Sequence, residues 1–124
     1  MSGGEDAEFY ARLAALNDRF AASLPDTLAR LTAARAAFDT AAPAAPLVGE
    51  LHGVLHTLAG SSATFGFDVL GRQARLLEQR LDALTAAQAV ASSAWAAWLG
   101  QLDVFVAWAL ADPKAAYPDG GTAV

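Results

Sequence analysis

The sequence predicts an all-α protein: an antiparallel up-down four-helix bundle with an N-terminal helical extension or a kinked first helix. Alanine makes up about a quarter of the 124 residues, and apolar residues recur at spacings of three and four along most of the chain. Short connections separate these amphipathic segments, as between antiparallel neighbours in a bundle. We expect one domain over residues 1–124, with the bundle at about 8–111 and a flexible tail at 112–124.

The first helical pattern runs from Phe9 to Phe38 and is interrupted by Pro25. Because proline lacks a backbone N–H and clashes with the preceding turn, two interpretations remain open. Either one long helix kinks at Pro25, or Ser23 caps a second helix that carries Pro25 in its first turn. A short connector, residues 41–46, contains two prolines and ends this part of the chain.

Three further helices are predicted after the connector. The second runs from about Leu47 to Phe65, with Gly66 as its C-terminal cap, and the third from an N-cap at Asp68 to about Leu84. The last covers about residues 87–111. The residues predicted to face the core are Leu47, Leu51, Leu55, Leu58, Ser62 and Phe65 in the second helix, Leu70, Leu77, Leu81 and Leu84 in the third, and Trp95, Trp98, Leu99, Leu102, Phe105, Val106 and Ala109 in the last.

Composition excludes several classes of function. The net charge of −5 and the single lysine, Lys114, argue against nucleic-acid binding, which needs clustered cations. The absence of cysteine excludes disulfides, thiolate metal sites and a cysteine nucleophile. The N-terminus lacks the pattern of a signal peptide, and the most apolar stretch, residues 89–110, contains Gln101 and Asp103. We therefore expect a cytoplasmic monomer that binds neither nucleic acid nor membrane.

His56 is the candidate functional residue, because it lies in a helix whose neighbouring positions carry small side chains. A glycine inside a helix costs about 1 kcal/mol relative to alanine, so Gly60 should have a reason to be there. Gly60 lies one turn beyond His56 on the same face and leaves the imidazole uncovered, and Ala59 is also small. At cytoplasmic pH an ordinary imidazole is mostly neutral, with one nitrogen available as a nucleophile.

A partner for His56 follows from the geometry of a helical hairpin. If the helices on either side of Phe67 are antiparallel, residues equally far from Phe67 face each other. His56 and Glu78 each lie eleven residues from Phe67, roughly 16 Å along their helices. A carboxylate beside Nδ1 of a histidine accepts its proton and leaves Nε2 as the nucleophile.

Two other kinds of site are disfavoured by the sequence. His52 and His56 have the i, i+4 spacing of a metal pair, but the nearest acid of that helix, Glu50, lies off their face. The sequence therefore predicts no metal site. The hydroxyl residues Ser61, Ser62 and Thr64 lack the Gly-X-Ser-X-Gly pattern and the histidine relay of a hydrolase.

The segment HTLAGSSATFGFDVL, which begins at His56, and the segment LLEQRL, which ends at Leu81, resemble histidine phosphotransfer (HPt) domains. The resemblance covers about thirty consecutive residues, and it is strongest to the phosphoacceptor domain of chemotaxis-type histidine kinases. It implies that Nε2 of His56 carries the phosphoryl group and that Glu78 is the supporting carboxylate.

The chain departs from this family at Ala59, where HPt domains usually carry a lysine that helps to hold the phosphoryl group. Reflection about Phe67 places Arg75 opposite Ala59, one turn from Glu78. Arg75 would supply the missing cation across the hairpin. The alternative is that Arg75 is only solvated or paired with Glu78.

The resemblance implies a phosphoryl carrier that is not itself an enzyme. Its partners would be the receiver domains of response regulators and hybrid histidine kinases. It would hold no cofactor, and the Mg²⁺ ion would belong to the receiver, since the chain has no nucleotide-binding segment. Two alternatives remain: an adaptor of the same fold that docks signalling proteins without being phosphorylated, and a phosphoacceptor module from a larger kinase, although the tail after Asp112 resembles a natural end.

Overall fold

The computed structural model describes residues 3–118 and contains no strand within them. Each helix packs on the helices before and after it in the chain, and the first also packs on the last. This arrangement confirms the predicted all-α four-helix bundle. The helices are α1 (Gly3–Ala36), α2 (Ala45–Ser61), α3 (Asp68–Ala86) and α4 (Ser92–Ala111), and a short 3₁₀ turn (Ala63–Phe65) lies between α2 and α3.

α1 is one helix that continues through Pro25, so no second helix begins at Ser23. The Ser23 hydroxyl does not cap a helix; it donates to the carbonyl of Phe20 at 2.7 Å, within the same helix. Leu24 is the first fully buried residue of α1, and Phe9 and Tyr10 near its start are exposed. The N-terminal half of α1 is therefore the predicted helical extension beyond the bundle.

The connection between α2 and α3 is short and tightly bonded. Gly66 has a φ of 85°, a left-handed conformation that glycine adopts without steric cost, and its N–H donates to the carbonyl of Ala63 at 3.1 Å. The N–H of Phe67 donates to the carbonyl of Ser62 at 2.8 Å. The Phe67 ring is buried, and its centroid lies 5.2 Å from that of Phe20. The backbone hydrogen bonds fix the shape of the turn, and the contact between the two aromatic rings holds the turn against α1.

Two predicted helix starts are wrong. Asp68 is the first residue of α3 rather than its N-cap, which is Phe67 and makes no side-chain capping bond. The last helix begins at Ser92 instead of near residue 87, because residues 87 and 91 are extended, with ψ of 145° at both. The alanines around position 87 give no stop signal in the sequence. Val90 packs against the core, and this tertiary contact accompanies the extended connection.

The core lies between all four helices and contains most of the residues predicted to face it. Leu47, Phe65, Leu84 and Val106 are only partly buried at its edge. The indole N–H of Trp98 donates to the Leu77 carbonyl at 3.0 Å and joins α4 to α3 inside this core. The fully buried side chains include Leu28, Leu31, Leu51, Val54, Leu55, Leu70, Leu81, Leu99, Leu102 and Phe105.

Two arginines of α1 form forked ion pairs with the neighbouring helices. Arg30 donates to both carboxylate oxygens of Glu50 on α2, at 2.9 and 3.0 Å, and Arg35 donates to Asp103 on α4, at 3.0 and 3.2 Å. The hydrogen bond from Arg30 lowers the pKa of the Glu50 carboxyl. Because these pairs are exposed, they contribute little to stability.

The chain after α4 turns back onto the bundle, although its sequence predicted the start of a flexible tail. Trp108 donates its indole N–H to the Ala115 carbonyl at 3.3 Å, and its ring lies edge-on to Tyr117. The ammonium group of Lys114 lies 4.6 Å from the centroid of the Phe67 ring. Residues 119–124, the rest of the predicted tail, lie outside the described residues.

Among residues 3–118, α4 alone is long and apolar enough to cross a membrane by length and composition. A core helix passes the same test, and α4 buries seven side chains in the bundle, three of them tryptophans. The core therefore accounts for part of its apolar character, since 39% of the apolar stretch is buried and Val104 and Leu110 are exposed.

Replacing Trp98 with Phe should lower the free energy of unfolding by about 1–3 kcal/mol, because the buried Leu77 carbonyl loses its donor. Urea denaturation followed by circular dichroism measures this loss. Trp108→Phe is the matched control, since its hydrogen bond is longer and only partly buried, and it should cost less. Equal losses in the two variants would show that the buried hydrogen bond of Trp98 contributes no more to stability than the longer hydrogen bond of Trp108.

Candidate functional site

The hairpin formed by α2 and α3 brings three pairs of residues together across its groove. In each pair the two residues are equally distant in sequence from Phe67. The helices are thus in the register expected for a hairpin that turns at Phe67. The pairs are His56 with Glu78, Ala59 with Arg75, and His52 with Asp82.

His56 and Glu78 form the shortest of these contacts. Nδ1 of His56 lies 2.6 Å from Oε2 of Glu78. An ionised carboxylate can only accept a hydrogen bond, so Nδ1 carries the proton and, in the neutral ring, Nε2 keeps its lone pair. The His56 side chain is 69% exposed. The arrangement is therefore an oriented imidazole with a nucleophilic nitrogen that a partner can reach.

Glu78 is a buried carboxylate between two histidines. It is only 6% exposed, and its Oε2 lies 3.6 Å from Nε2 of His52 as well as close to His56. The imidazole rings of His52 and His56 are nearly parallel, with centroids 6.1 Å apart. Nε2 of His52 also lies 2.9 Å from Oδ1 of Asp82. A buried carboxylate is costly without hydrogen bonds, and the exposed histidines shield this one from the outside.

Arg75 lies across the groove from Ala59, as the hairpin predicted. Its Nη2 donates to the Ala59 carbonyl over 3.4 Å, and its Nη1 lies 4.0 Å from Oε1 of Glu78. Ala59 itself is buried. The Arg75 side chain is half exposed, so its guanidinium group can still move. Its contacts with Ala59 and Glu78 place this cation on the side of His56 that leads to the turn.

Glycine surrounds His56 on the exposed face of α2. Gly60 is exposed, and a Cβ atom placed on it would meet nothing within 4 Å. The same is true of Gly49 and Gly53, which fall on the same face at the helical spacing. His56 is therefore the one side chain that projects from this stripe. Each of these glycines costs the helix about 0.5–1 kcal/mol, and the result is an unobstructed approach to the ring.

Two features of the site were missed in reading the sequence. The first is the contact of His52 with Asp82 and Glu78. The reflection about Phe67 that pairs His56 with Glu78 also pairs His52 with Asp82. Gly49 and Gly53 were visible as glycines seven and three residues before His56. Helical spacing would have placed them beside the imidazole.

Substituting Gln for Glu78 should shift the tautomers of neutral His56. The amide is uncharged and can donate as well as accept, so the ratio of Nδ1–H to Nε2–H ring should fall about five- to tenfold. Nitrogen-detected NMR of the imidazoles measures this ratio. Asp82→Asn is the control, since Asp82 contacts His52 and not His56. An unchanged tautomer ratio in Glu78→Gln would mean that Glu78 does not orient the ring.

Comparison with known proteins identifies the family. The sequence matches the Hpt domain family over residues 15–108, which include all of α2 and α3 and therefore His56, Glu78 and Arg75. No curated protein and no solved structure matches the chain. Hpt domains are phosphotransfer carriers that interact with receiver domains of two-component systems. With more than half of its length matched, and with a four-helix bundle around an exposed histidine, this chain belongs to the Hpt domain family.

Proposed function

We propose that this protein carries a phosphoryl group on Nε2 of His56 between the aspartates of receiver domains in a two-component phosphorelay. The contact between His56 Nδ1 and Glu78 Oε2 is the observation that supports this most strongly. It fixes the proton on the inner nitrogen of an imidazole whose side chain is largely exposed. Family membership supplies the reaction class, and the site residues are our assignment.

In the proposed transfer, Nε2 of His56 attacks the phosphorus of a receiver aspartyl phosphate. The N–P bond forms as the P–O bond to the aspartate breaks, and the aspartate leaves as a carboxylate. Because Nδ1 keeps its proton, the phosphorylated ring is an imidazolium cation. The negative charge of Glu78 at 2.6 Å stabilises that cation, as the orienting acid does in a serine-protease triad. The reverse step passes the group to a second receiver.

Arg75 would contact the transferred group in place of the usual lysine. Its guanidinium already reaches the Ala59 carbonyl, next to His56 along α2, and guanidinium groups bind phosphate oxygens through two parallel hydrogen bonds. Arg72 and Arg75 also line a groove of about 640 Å³ between α2 and α3. These cations lie where the acidic phosphorylation pocket of a receiver would approach.

We further propose that the protein acts in the cytoplasm as a monomer and that receiver domains of response regulators and hybrid histidine kinases are its partners. The Mg²⁺ that assists the transfer would be held by the receiver. The exposed glycine face around His56 supports docking of this kind, since a folded domain has to bring its aspartate to the imidazole nitrogen.

Replacing His56 with Gln should abolish phosphoryl acceptance and leave the fold intact. The side chain is largely exposed and the Gln amide can still donate to Oε2 of Glu78, so the free energy of unfolding should fall by no more than about 1–2 kcal/mol. The measurement is the appearance of acid-labile, base-stable phosphate after incubation with a panel of phosphorylated receiver domains. His52→Gln is the matched control and should still become phosphorylated. Phosphate on His56→Gln would refute the site, and none on the unmodified protein would favour the docking adaptor.

Replacing Arg75 with Ala should shorten the lifetime of the phosphorylated protein by about two- to tenfold, because a half-exposed guanidinium contact contributes about 0.4–1.4 kcal/mol. Release of inorganic phosphate from the purified phosphoprotein measures the lifetime. Arg80→Ala is the control, since Arg80 lies on the same helix but bonds Gln101 of α4. A lifetime equal to that of the unmodified protein would show that Arg75 does not replace the lysine that is absent at position 59.

A further inference from the structure

We propose that His52, Glu78 and Asp82 form a binding site for one Zn²⁺ ion, adjacent to His56. The three donor atoms come from two helices: Nε2 of His52 from α2, and one carboxylate oxygen each from Glu78 and Asp82 on α3. All three lie within 4.8 Å of one another. Thirty residues separate His52 from Asp82, and the antiparallel hairpin brings them together.

Two of the three distances between the donors are close to those of a tetrahedral zinc site. With zinc–ligand bonds of about 2.0–2.2 Å, tetrahedral ligands lie about 3.4 Å apart. Nε2 of His52 lies 2.9 Å from Oδ1 of Asp82 and 3.6 Å from Oε2 of Glu78. Side-chain movements of a few tenths of an ångström would bring these two distances to the tetrahedral value, and the donors of Glu78 and Asp82 lie within 4.8 Å of each other.

The charge of the cluster also calls for a cation. Glu78 is 6% exposed, and its Oε1 has no hydrogen-bond partner among residues 3–118. The nearest cation is Arg75, whose Nη1 lies 4.0 Å from that oxygen, beyond hydrogen-bonding distance. A buried carboxylate without full pairing is costly, and Asp82 adds a second negative charge close by. A divalent ion bound to Oε2 of Glu78 would neutralise the charge of both carboxylates at once, while Oε1 would keep its contact with Arg75.

Zinc fits these donors better than magnesium does. One imidazole and two carboxylates make a nitrogen and oxygen set that zinc accepts, whereas Mg²⁺ prefers six oxygen ligands and keeps several of its waters. The side chains of His52 and Asp82 are 38% and 58% exposed, so the ion can enter from solvent and keep a water as its fourth ligand.

Zinc at this site would act on His56, a consequence that rests on the proposed function. The oxygen that would bind zinc, Oε2 of Glu78, is the same atom that accepts the hydrogen bond from Nδ1 of His56. Metal coordination draws electron density from that oxygen and weakens its hydrogen bond to the ring. The phosphorylated imidazolium would then lose part of its stabilisation, so zinc would slow phosphoryl acceptance.

Calorimetric titration of the full chain with Zn²⁺ in the presence of excess Mg²⁺ tests the site. We expect one ion per chain, and at least tenfold weaker binding in both His52→Gln and Asp82→Asn. Glu50→Gln is the control for loss of a carboxylate elsewhere on α2, where Glu50 faces Arg30 of α1, and His56→Gln is the control for the neighbouring imidazole. Both should retain binding, because neither residue supplies a ligand.

Nitrogen-detected NMR of the imidazoles identifies the coordinating atom in the same titration. Zinc should shift the Nε2 resonance of His52, and Nε2 of His56 should not become a ligand. No binding, binding that survives Asp82→Asn, or coordination through His56 in place of His52 would each overturn the site.

Transfer assays with and without Zn²⁺ test the consequence separately. Zinc should slow phosphoryl acceptance by the unmodified protein severalfold and have no such effect on Asp82→Asn, which excludes an action of zinc on the receiver. Equal inhibition of both would overturn the link to His56. Failure of the proposed function is distinguishable, because the chain would then accept no phosphate even without zinc, whatever the calorimetry shows.

Discussion

The register of the α2–α3 hairpin is the constraint on which the site depends. Gly66 in the left-handed conformation and the buried ring of Phe67 fix where the chain reverses. Once that point is set, the residues that face each other across the groove are set too. A slip of one residue along either helix would rotate its side chains by about 100° and separate His56 from Glu78. The geometry of the turn therefore controls a contact roughly 16 Å away.

That register places a buried carboxylate directly beneath an exposed imidazole. Burial keeps water away from Glu78, so little solvent competes with Nδ1 of His56 for the hydrogen bond to Oε2. The glycines around His56 lower the stability of the helix, but they leave the imidazole ring accessible. The packed core beneath α2 holds the helix in place despite them.

Much of the fold could be predicted because helical periodicity is a local property. The four helices and most of their core residues follow from apolar spacing. Gly66 was expected to cap α2, but α2 ends at Ser61, and Gly66 caps the short 3₁₀ turn that follows it. The start of α4 did not follow, because the alanines before Ser92 are as compatible with a helix as with an extended connection. The sequence also left open whether a new helix starts near Pro25 or one helix continues through it, since a proline can begin a helix or be tolerated within one.

The sequence by itself determined that His56 lies on an uncovered helix face. It also determined that Glu78 lies as far beyond the turn as His56 lies before it. Both statements need only helix geometry and chain order. Tertiary structure decided how deeply Glu78 is buried and that one of its oxygens contacts both His56 and His52. It also decided the hydrogen bond that joins Asp82 to His52 and the long contact between Arg75 and the Ala59 carbonyl, although the hairpin register already pairs these residues. Burial and the sharing of one atom depend on how all the helices pack, and no spacing along a single chain encodes those distances.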